Sequence, residues 1–506
     1  MPSANGNGTA VEPLSIKLAL PNGVTYNQPT GLFINNEFVK SSTEEKITVI
    51  DPATEKEIAA VYAASPADID TAVAAARKAF KPWKKLPAAK RGDYLLKLTE
   101  LIDRDRELFA AIDAWDNGKT YEEALTIDME EAYHVFKYYS GFADKIFGKT
   151  IETHPQKLTY CLQEPLGVCA QIIPWNYPFM MLAWKVAPAI ACGNTVVIKS
   201  SELTPLSVLY FGKLIQQAGI PAGVINIVSG LGGVAGAAMA GHMDVDKVAF
   251  TGSTATGKKI MAAASNNLKS ITLECGGKSP SLVFKDCDLE QTVKWTYLGA
   301  IGNQGEVCSA TTRIYVEDDF YDTFMEAFVA YTKEMDKVGL PFEEGNVQGA
   351  QVSEGQFNKV MAYIEKGNAE GAKLYYGGER RGTSGYFISP TVFGDITEDM
   401  TIVKEEIFGP VVVIGRFSDV DDAVEKANNT VYGLAAAVFT ENITRAHQIA
   451  ADLEAGVVWI NESNDCHFGI PFGGVKQTGF GREMGPYAMD MYTHTKAVQV
   501  NLGANL

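Results

Sequence analysis

Short apolar runs alternate with helix-like stretches along most of this sequence. Between about residues 65 and 145 the apolar positions follow helical spacing, and Ser65, Pro66 and Asp68 form a typical helix start. Beyond residue 167, helical stretches separate five apolar runs, at 167–173, 195–198, 224–228, 247–250 and 270–273. Strands joined by single helices require right-handed crossovers, so we predict a parallel sheet of the doubly wound, nucleotide-binding type.

A second set of apolar runs indicates a second α/β domain. Its predicted strands lie at 281–284, 313–316, 411–414, 435–439 and 457–460. A glycine-rich region at 273–278 separates the two sets, so we place the main domain boundary there. The total of 506 residues corresponds to about three domains of ordinary size.

The charge of the chain changes the list of expected partners. Lys and Arg number 44 against 61 Asp and Glu, which gives a net charge of −17. Nucleic acids and anionic membranes both bind basic surfaces, so we expect neither as the main partner. No apolar run approaches the roughly 20 residues that a membrane-spanning helix requires.

The cysteines and histidines argue against disulfides and metals. The seven cysteines are odd in number and form no Cys-x-x-Cys pair, and the six histidines never fall at metal-binding spacing. We therefore expect no metal site and a reducing, cytoplasmic location. Residues 1–28 lack the features of a signal or transit peptide, and we predict that they form a flexible tail.

Two glycine-rich loops are candidate phosphate sites. Residues 230–235 fit Gly-x-Gly-x-x-Ala between a predicted strand and a helix, but the acidic residue expected about 20 positions later is absent. A phosphate loop and a plain tight turn both stay open there. Residues 252–259 resemble a P-loop, yet Lys259 replaces the hydroxyl that should hold Mg²⁺. A P-loop phosphotransferase is disfavoured, whereas metal-free phosphate binding at a helix N-terminus is favoured.

Three residues are candidates for chemistry, and each has an ordinary alternative. Cys308 lies in a segment of small residues, where a cysteine is often buried and inert. Glu274 ends an apolar run before two glycines, where it could cap the next element. Asn176 lies between two prolines and could be a turn residue.

Seven segments in order resemble the aldehyde dehydrogenase superfamily, and the match runs from about residue 31 to 500. They are PWNYP at 174–178, NTVVIKSSE at 194–202, FTGSTATG at 250–257, LECGGKSP at 273–280, GEVC at 305–308, KEEIFGP at 404–410 and PFGG at 471–474. The nearest resemblance is to the NAD-linked class, in a form similar to cytosolic fungal enzymes.

The resemblance implies oxidation of an aldehyde to its acid. Cys308 is then the nucleophile that forms a thiohemiacetal and a thioester, because a thiolate suits attack on a carbonyl carbon. The Asn176 amide and the Cys308 backbone N–H are the expected oxyanion donors. Glu274 is the expected base, which activates water for hydrolysis rather than transfer to coenzyme A. Lys185 is expected to assist proton relay, and its alternative is an ordinary surface lysine.

The resemblance also implies the cofactor site. Lys199 and Glu202 match positions that hold the adenosine ribose, and a Glu202 carboxylate accepts from a 2′-hydroxyl but repels a 2′-phosphate. We therefore predict NAD, with NADP less favoured. The remaining predicted cofactor residues are Ile173, Pro174, Trp175, Gly232, Phe250, Gly252, Ser253, Glu406 and Phe408.

The substrate tunnel departs from the family pattern. Its predicted residues are Tyr177, Met181, Trp184, Val307, Ser309, Cys466 and Phe472. Cys275 stands where many relatives have Leu, Val307 where close relatives often have a second Cys, and the loop at 463–468 is more polar than the aromatic-rich versions. An unbranched aliphatic aldehyde, an arylacetaldehyde or a pathway-specific aldehyde all remain possible substrates.

The implied architecture is two doubly wound α/β domains with a small β oligomerisation arm. We assign 29–147 and 166–276 to the NAD-binding domain, 277–478 to the catalytic domain, and 148–165 with 486–506 to oligomerisation. A homotetramer is favoured over a homodimer. Two alternative functions stay open: a catalytically silent structural or binding member, and a specialist for semialdehydes or amine-derived aldehydes.

Overall fold

A computed structural model describes residues 14–505. Its strands are β1 Ser15–Ala19, β2 Thr25–Pro29, β3 Leu32–Ile34, β4 Glu37–Val39, β5 Lys46–Asp51, β6 Lys56–Tyr62, β7 Thr150–Ile151, β8 Lys157–Pro165, β9 Val168–Ile172, β10 Thr195–Lys199, β11 Ile225–Val228, β12 Lys247–Thr251, β13 Ser270–Glu274, β14 Pro280–Val283, β15 Arg313–Glu317, β16 Lys373–Tyr376, β17 Thr391–Gly394, β18 Val411–Phe417, β19 Ala435–Phe439, β20 Val457–Ile460, β21 Gly479–Phe480 and β22 Thr493–Asn501.

The α-helices are α1 Pro66–Lys85, α2 Ala88–Arg104, α3 Arg106–Asn117, α4 Tyr121–Glu123, α5 Met129–Ser140, α6 Pro178–Ala191, α7 Leu206–Ala218, α8 Ala237–Gly241, α9 Thr254–Ala264, α10 Leu289–Ile301, α11 Tyr321–Glu334, α12 Glu354–Ala369, α13 Thr401–Lys404, α14 Val420–Asn428, α15 Ile443–Asp452 and α16 Tyr487–Asp490. Short π-helical turns cover Ala124–Asp128 and Gly232–Gly236. Among the described residues, no helix is both long and apolar enough to cross a membrane.

The first sheet has eight strands in the order β21-β13-β12-β9-β10-β11-β3-β4. Its five central strands run parallel, which confirms the predicted doubly wound sheet. Strands β9, β10, β11 and β12 are buried along their whole length, so their sequences are mostly apolar on both faces rather than alternating. The edge strand β21 pairs antiparallel with the end of β13, although it comes from beyond the second sheet in the chain.

The second sheet has seven strands in the order β16-β17-β18-β15-β14-β19-β20. All its strand pairs are parallel except β16 with β17. It contains the five predicted strands, and it adds the β16–β17 pair, which the apolar pattern did not predict. Half of β16 is exposed, so it lacks the continuous apolar run by which the buried strands were identified.

The predicted oligomerisation segments meet in a separate three-stranded sheet. Strand β22 pairs antiparallel with β8 along nine residues, and β8 pairs with β7. Ile151, Leu158 and Leu162 on these strands are 44%, 42% and 42% exposed. The paired strands at 150–165 and 493–501 therefore lie together, with apolar side chains open to solvent.

The predicted flexible tail is wrong over its second half. Residues 1–13 lie outside the described residues, but β1 and β2 form an antiparallel hairpin within 15–29. Gln28 is fully buried, and its side-chain amide donates to the Leu206 carbonyl at 3.2 Å. The hairpin packs on α7, a contact between distant segments that local composition does not reveal.

Candidate functional site

A cavity of about 580 Å³ opens at the carboxyl ends of the first sheet and continues to residues of the second domain. Cys308, Glu274 and Asn176 all line it. We name two parts of its lining after the ligand that their residues are predicted to contact, the cofactor or the substrate. The cofactor wall comprises Pro174, Trp175, Gly252, Ser253, Glu406 and Phe408, and the substrate wall comprises Tyr177, Met181, Trp184, Val307, Ser309, Cys466 and Phe472.

The segment before Cys308 adopts an unusual backbone. Asn303, Gln304 and Gly305 have φ values of 49°, 55° and 70°. Two non-glycine residues in the left-handed region carry a conformational cost, so surrounding contacts must hold them there. The Gln351 side chain donates to the Gln304 carbonyl at 3.2 Å, and the Gly349 N–H donates to Gln304 Oε1 at 3.3 Å. The turn into Cys308 is thus fixed by its environment.

Asn176 is tied to the same segment. Its Nδ2 donates to the Glu306 carbonyl at 2.8 Å, and Asn303 Nδ2 donates to the Asn176 carbonyl at 3.2 Å. Asn176 is only 4% exposed. An amide nitrogen carries two N–H donors, so this bond leaves one for a further acceptor. The turn-residue alternative therefore does not describe its surroundings.

Glu274 is the last residue of β13 and is 5% exposed. Neither carboxylate oxygen has a hydrogen-bond partner among the described residues. Burial raises the pKa of Glu274 well above its usual value, and Glu483 adds to this, while Lys185 and Arg482 act in the opposite direction. The carboxyl group caps nothing, and it is a stronger base than an exposed glutamate.

Two glycines allow the catalytic candidates to approach one another. A Cβ on Gly277 would lie 2.4 Å from the Cys308 carbonyl oxygen, and one on Gly276 would lie 2.2 Å from Glu406 Oε2. The Gly277 N–H donates to Glu406 Oε1 at 3.0 Å. Any larger side chain at these positions would separate Cys308 and Glu406 from the end of β13.

The surroundings of Cys308 disfavour its thiolate. Burial raises the pKa of the Cys308 thiol above its usual value, and Glu406 and Glu274 contribute further because their negative charges oppose ionisation. The thiol must lose its proton before it can act as a nucleophile. An acceptor for that proton is therefore required within the cavity.

Lys185 is fully buried on α6, so the surface-lysine alternative is wrong. Its ammonium group forms an ion pair with Glu483, which is 7% exposed and lines the cavity. Sequence reasoning missed Glu483. Glu483 follows β21, and β21 pairs with the end of β13, where Glu274 lies. The sequence could have indicated Glu483 only through this pairing, which is visible only in the folded chain.

Apart from Gly232, the predicted cofactor residues fall into three groups. The six residues of the cofactor wall line the cavity, with Trp175 and Phe408 packed edge to face at 5.2 Å between ring centroids. Lys199 and Glu202 lie beyond that lining, at the carboxyl end of β10, with Nζ and Oε2 3.3 Å apart. Ile173 and Phe250 are buried in the hydrophobic core instead.

The two glycine loops differ in the structure. Ser253 is the N-cap of α9, and its Oγ accepts the Thr256 N–H at 3.3 Å. Gly252 and Ser253 line the cavity, so the start of α9 borders it, and a helix N-terminus is a suitable site for an anion. A Cβ on Gly232 would meet nothing within 4 Å, so close packing does not require glycine there. The phosphate-loop prediction at 230–235 stays a prediction.

One buried hydroxyl group supports the fit of a polar ligand on the cofactor side. Thr251 ends β12 and lines the cavity, and its Oγ1 has no hydrogen-bond partner among the described residues. A buried polar atom without a partner is costly unless a ligand or water satisfies it. Together with the helix start, the Lys199–Glu202 pair and the aromatic rings, this donor set suits a dinucleotide.

The substrate wall combines aromatic rings with a polar loop. Trp184 and Phe472 pack edge to face at 5.1 Å between centroids. Ser309 Oγ donates to Asn464 Oδ1 at 2.7 Å, and Asn464 Nδ2 donates to the Gly299 carbonyl at 2.6 Å. The polar residues of the loop at 463–468 thus anchor it to α10 and to the segment after Cys308.

The cavity also has lining residues that sequence reasoning missed. They come from helix faces and from the π-helical turn, and they are Glu123, Thr126, Ile127, Glu130, Glu131, Trp295, Leu298, Gln356 and Lys359. Helical periodicity marks such positions only as one face of a helix. It does not tell which face closes a cavity. Within residues 14–505, no group of three or more His, Cys, Asp and Glu could hold a metal ion.

The chain is similar to known proteins over almost its whole length. The model of the aldehyde dehydrogenase family matches residues 38–498. An aldehyde dehydrogenase of Alternaria alternata is 50% identical over 97% of this chain and 99% of its own, and one of Aspergillus niger is 51% identical over 96% and 98%. The NAD⁺ complex of aldehyde dehydrogenase from Bacillus cereus superposes with a TM-score of 0.92, at 47% identity, over 94% of this chain and 97% of that one.

Proposed function

This chain belongs to the aldehyde dehydrogenase family, and we propose that its NAD(P)-dependent oxidation of aldehydes runs through Cys308, with Asn176 and Glu274 as its immediate partners. The observation that supports this assignment is the convergence of the three side chains on one cavity, where neither Glu274 carboxylate oxygen has a hydrogen-bond partner among the described residues. In this proposal Cys308 is the nucleophile, Asn176 donates to the oxyanion and Glu274 is the base.

In the first half of the reaction the Cys308 thiol transfers its proton to a base and attacks the aldehyde carbon. The carbonyl oxygen becomes an oxyanion, which the second N–H of the Asn176 amide and the Cys308 backbone N–H stabilise. The resulting thiohemiacetal carries the C–H bond that is oxidised. NAD⁺ held against the cofactor wall would supply the acceptor for that hydrogen and its electron pair, so that the carbon bound to Cys308 becomes a thioester.

In the second half Glu274 takes a proton from water, and the resulting hydroxide attacks the thioester carbon. The C–S bond breaks, the carboxylic acid leaves and the Cys308 thiolate is regenerated. The raised pKa of Glu274 suits this step, because a stronger base abstracts the proton more readily. The buried Lys185–Glu483 pair lies on the route by which we propose that the proton leaves Glu274.

The residues at the end of β10 support a preference for NAD over NADP. Lys199 is buried beside Glu202, whose side chain is 37% exposed. A carboxylate there accepts from a ribose hydroxyl group, whereas it repels a phosphate in the same place. The start of α9 at Ser253 would hold the pyrophosphate, and Trp175, Glu406 and Phe408 would bind the nicotinamide half.

A panel of aldehydes tests the proposed function. The protein is mixed with NAD⁺ and with aliphatic, aromatic, semialdehyde and cationic amine-derived aldehydes, and NADH formation gives kcat/KM for each. We expect turnover of several uncharged aldehydes. Turnover of only semialdehydes or cationic aldehydes would support the specialist alternative, and no turnover of any aldehyde would support the silent one. Repeating the panel with NADP⁺ tests the cofactor preference, which equal kcat/KM values would contradict.

We propose a homotetramer in preference to a homodimer, and the three-stranded sheet supports self-association as such. Strand β22 is nine residues long and forms an edge of this sheet, and the adjacent strand β8 carries the exposed leucines Leu158 and Leu162. Such an edge readily pairs with another chain. Light scattering should give four times the subunit mass, and Leu158→Lys with Leu162→Lys should lower it. The cytoplasmic location stays a prediction from the cysteine content.

A further inference from the structure

A buried lysine lies behind the substrate wall, outside the machinery described above. Lys119 and Asp128 are both fully buried, and Lys119 Nζ lies 2.5 Å from Asp128 Oδ2. The same ammonium group lies 4.0 Å from the centroid of the Tyr177 ring. Tyr177 lines the cavity next to Asn176, so one aromatic ring contacts both the cavity and this ion pair.

We propose that the Lys119–Asp128 pair is a positioning element that fixes the Tyr177 ring, and through it determines which aldehydes the substrate wall accepts. The inference rests on the proposed function, in which Tyr177 contacts the substrate. Lys119 touches neither the substrate nor the reacting atoms. It acts through the ring alone.

The physical basis is the attraction between a cation and the face of an aromatic ring. This attraction is strongest where water is excluded, as it is around Lys119. It is also directional, because the ammonium group must lie over the ring face. Asp128 keeps the ammonium group in place, since an unpaired charge could not remain buried there.

The surrounding segment supports a positioning role rather than simple packing. Asn117 Nδ2 donates to the Trp175 carbonyl at 2.9 Å, and Asp113 Oδ2 accepts the Phe179 N–H at 3.3 Å. These bonds hold the backbone on both sides of Tyr177. Lys119 adds the contact to the side chain between them. Asp128 ends the π-helical turn Ala124–Asp128, an irregularity that is frequent at functional sites.

The experiment measures aldehyde selectivity, defined as kcat/KM for benzaldehyde divided by kcat/KM for acetaldehyde. In Lys119→Gln the amide can still donate to Asp128, but the charge over the ring is lost. We expect selectivity to fall roughly tenfold, mainly through KM for benzaldehyde. Lys119→Arg should restore it to within about twofold, because a guanidinium group also stacks on aromatic rings.

A double-mutant cycle separates positioning from a general structural effect. In a Tyr177→Leu background, Lys119→Gln should change selectivity no further, because the ring through which Lys119 acts is gone. Lys373→Met is the matched control, since Lys373 Nζ lies 4.4 Å from the centroid of the Tyr375 ring, far from the cavity in the second sheet. That variant should match the wild type.

Two results would overturn the proposal: an equal loss of kcat/KM for both aldehydes in Lys119→Gln, or additive effects in the cycle. If Lys119→Gln does not fold, Lys119→Met with Asp128→Leu replaces both charges by apolar groups and is measured in the same way. A crystal structure of the variant gives a readout independent of turnover. An unmoved, well-ordered Tyr177 ring in it would also contradict the proposal. NADH formation by the wild type tests the proposed function separately.

Discussion

The two walls of the cavity are built from different kinds of structure. The cofactor wall draws mainly on the carboxyl ends of parallel strands and on the start of α9, and the segment after α13 adds Glu406 and Phe408. The substrate wall combines the inner face of α6 with a distant loop that contains Cys466. The cofactor wall therefore rests mainly on local strand-end motifs, whereas the shape of the substrate wall depends on how α6, the Cys308 segment and distant loops meet.

This contrast predicts that substitutions in one wall leave the function of the other unchanged. Only the residues between the walls, Cys308, Glu274 and Asn176, should affect every substrate and both cofactors. The following tests are arranged by expected effect, from the largest to the smallest.

Cys308→Ser should abolish oxidation of all aldehydes with either cofactor. Serine is a far weaker nucleophile at neutral pH, so we expect kcat/KM to fall by roughly 10³-fold or more. NADH formation measures this. Cys466→Ser is the matched control, because Cys466 lines the same cavity but is exposed. It should alter only the preference among aldehydes, and substantial activity in Cys308→Ser would remove the distinction between the two cysteines.

Glu274→Gln should block the second half-reaction with every aldehyde. Without a base to activate water, kcat should fall by about 10²- to 10⁴-fold. Rapid mixing should still show a burst of NADH that approaches one equivalent per active site, because the thioester forms and then accumulates. A lowered rate without a burst would instead assign Glu274 to the first half-reaction.

Glu202→Gln should affect the cofactor wall alone. Removing a negative charge near the ribose should raise kcat/KM with NADP⁺ by about tenfold relative to NAD⁺. The order of preference among aldehydes should not change. Lys258→Gln is a control on the same side, because Lys258 is exposed and donates to Gln477 Oε1 at 3.0 Å. Equal changes with both cofactors would contradict the role given to Glu202.

Trp184→Phe should affect the substrate wall alone. A smaller ring enlarges the cavity beside Phe472, so we expect kcat/KM for bulky aldehydes to rise by about tenfold relative to acetaldehyde. KM for NAD⁺ should stay within about twofold of the wild-type value. A matching change in KM for NAD⁺ would show that the walls are coupled.

The smallest expected effect is on stability and concerns Glu274. Because the pKa of Glu274 is raised, the folded protein keeps this proton to a higher pH than the unfolded chain does. Glu274 therefore destabilises the fold once the pH rises above the pKa that the group has in the unfolded chain. Glu274→Gln removes that penalty. Its Tm relative to wild type should therefore increase by roughly 2 °C between pH 5 and pH 9. The exposed Glu290→Gln should show no such trend.

The sequence predicted the parts of the fold that have strong local signals. The ten predicted strands are all present, because most of them are buried and their sequences are predominantly apolar. The β1–β2 hairpin, β16 and β21 were not predicted, since they are short or partly exposed. The sequence allowed Lys185, which is fully buried, to be interpreted as a surface lysine, because no local pattern indicates that a lysine pairs with Glu483.

By itself the sequence determined the sheet architecture, the family resemblance and the residue types that aldehyde oxidation requires. These depend on hydrophobic periodicity and on side-chain chemistry, which are local properties. Only the tertiary structure decided that Glu274 has no hydrogen-bond partner within residues 14–505, that β21 brings Glu483 to the cavity, and that Lys119 lies on the Tyr177 ring. Such contacts join residues far apart in the chain, and they are fixed by how whole helices and strands pack together.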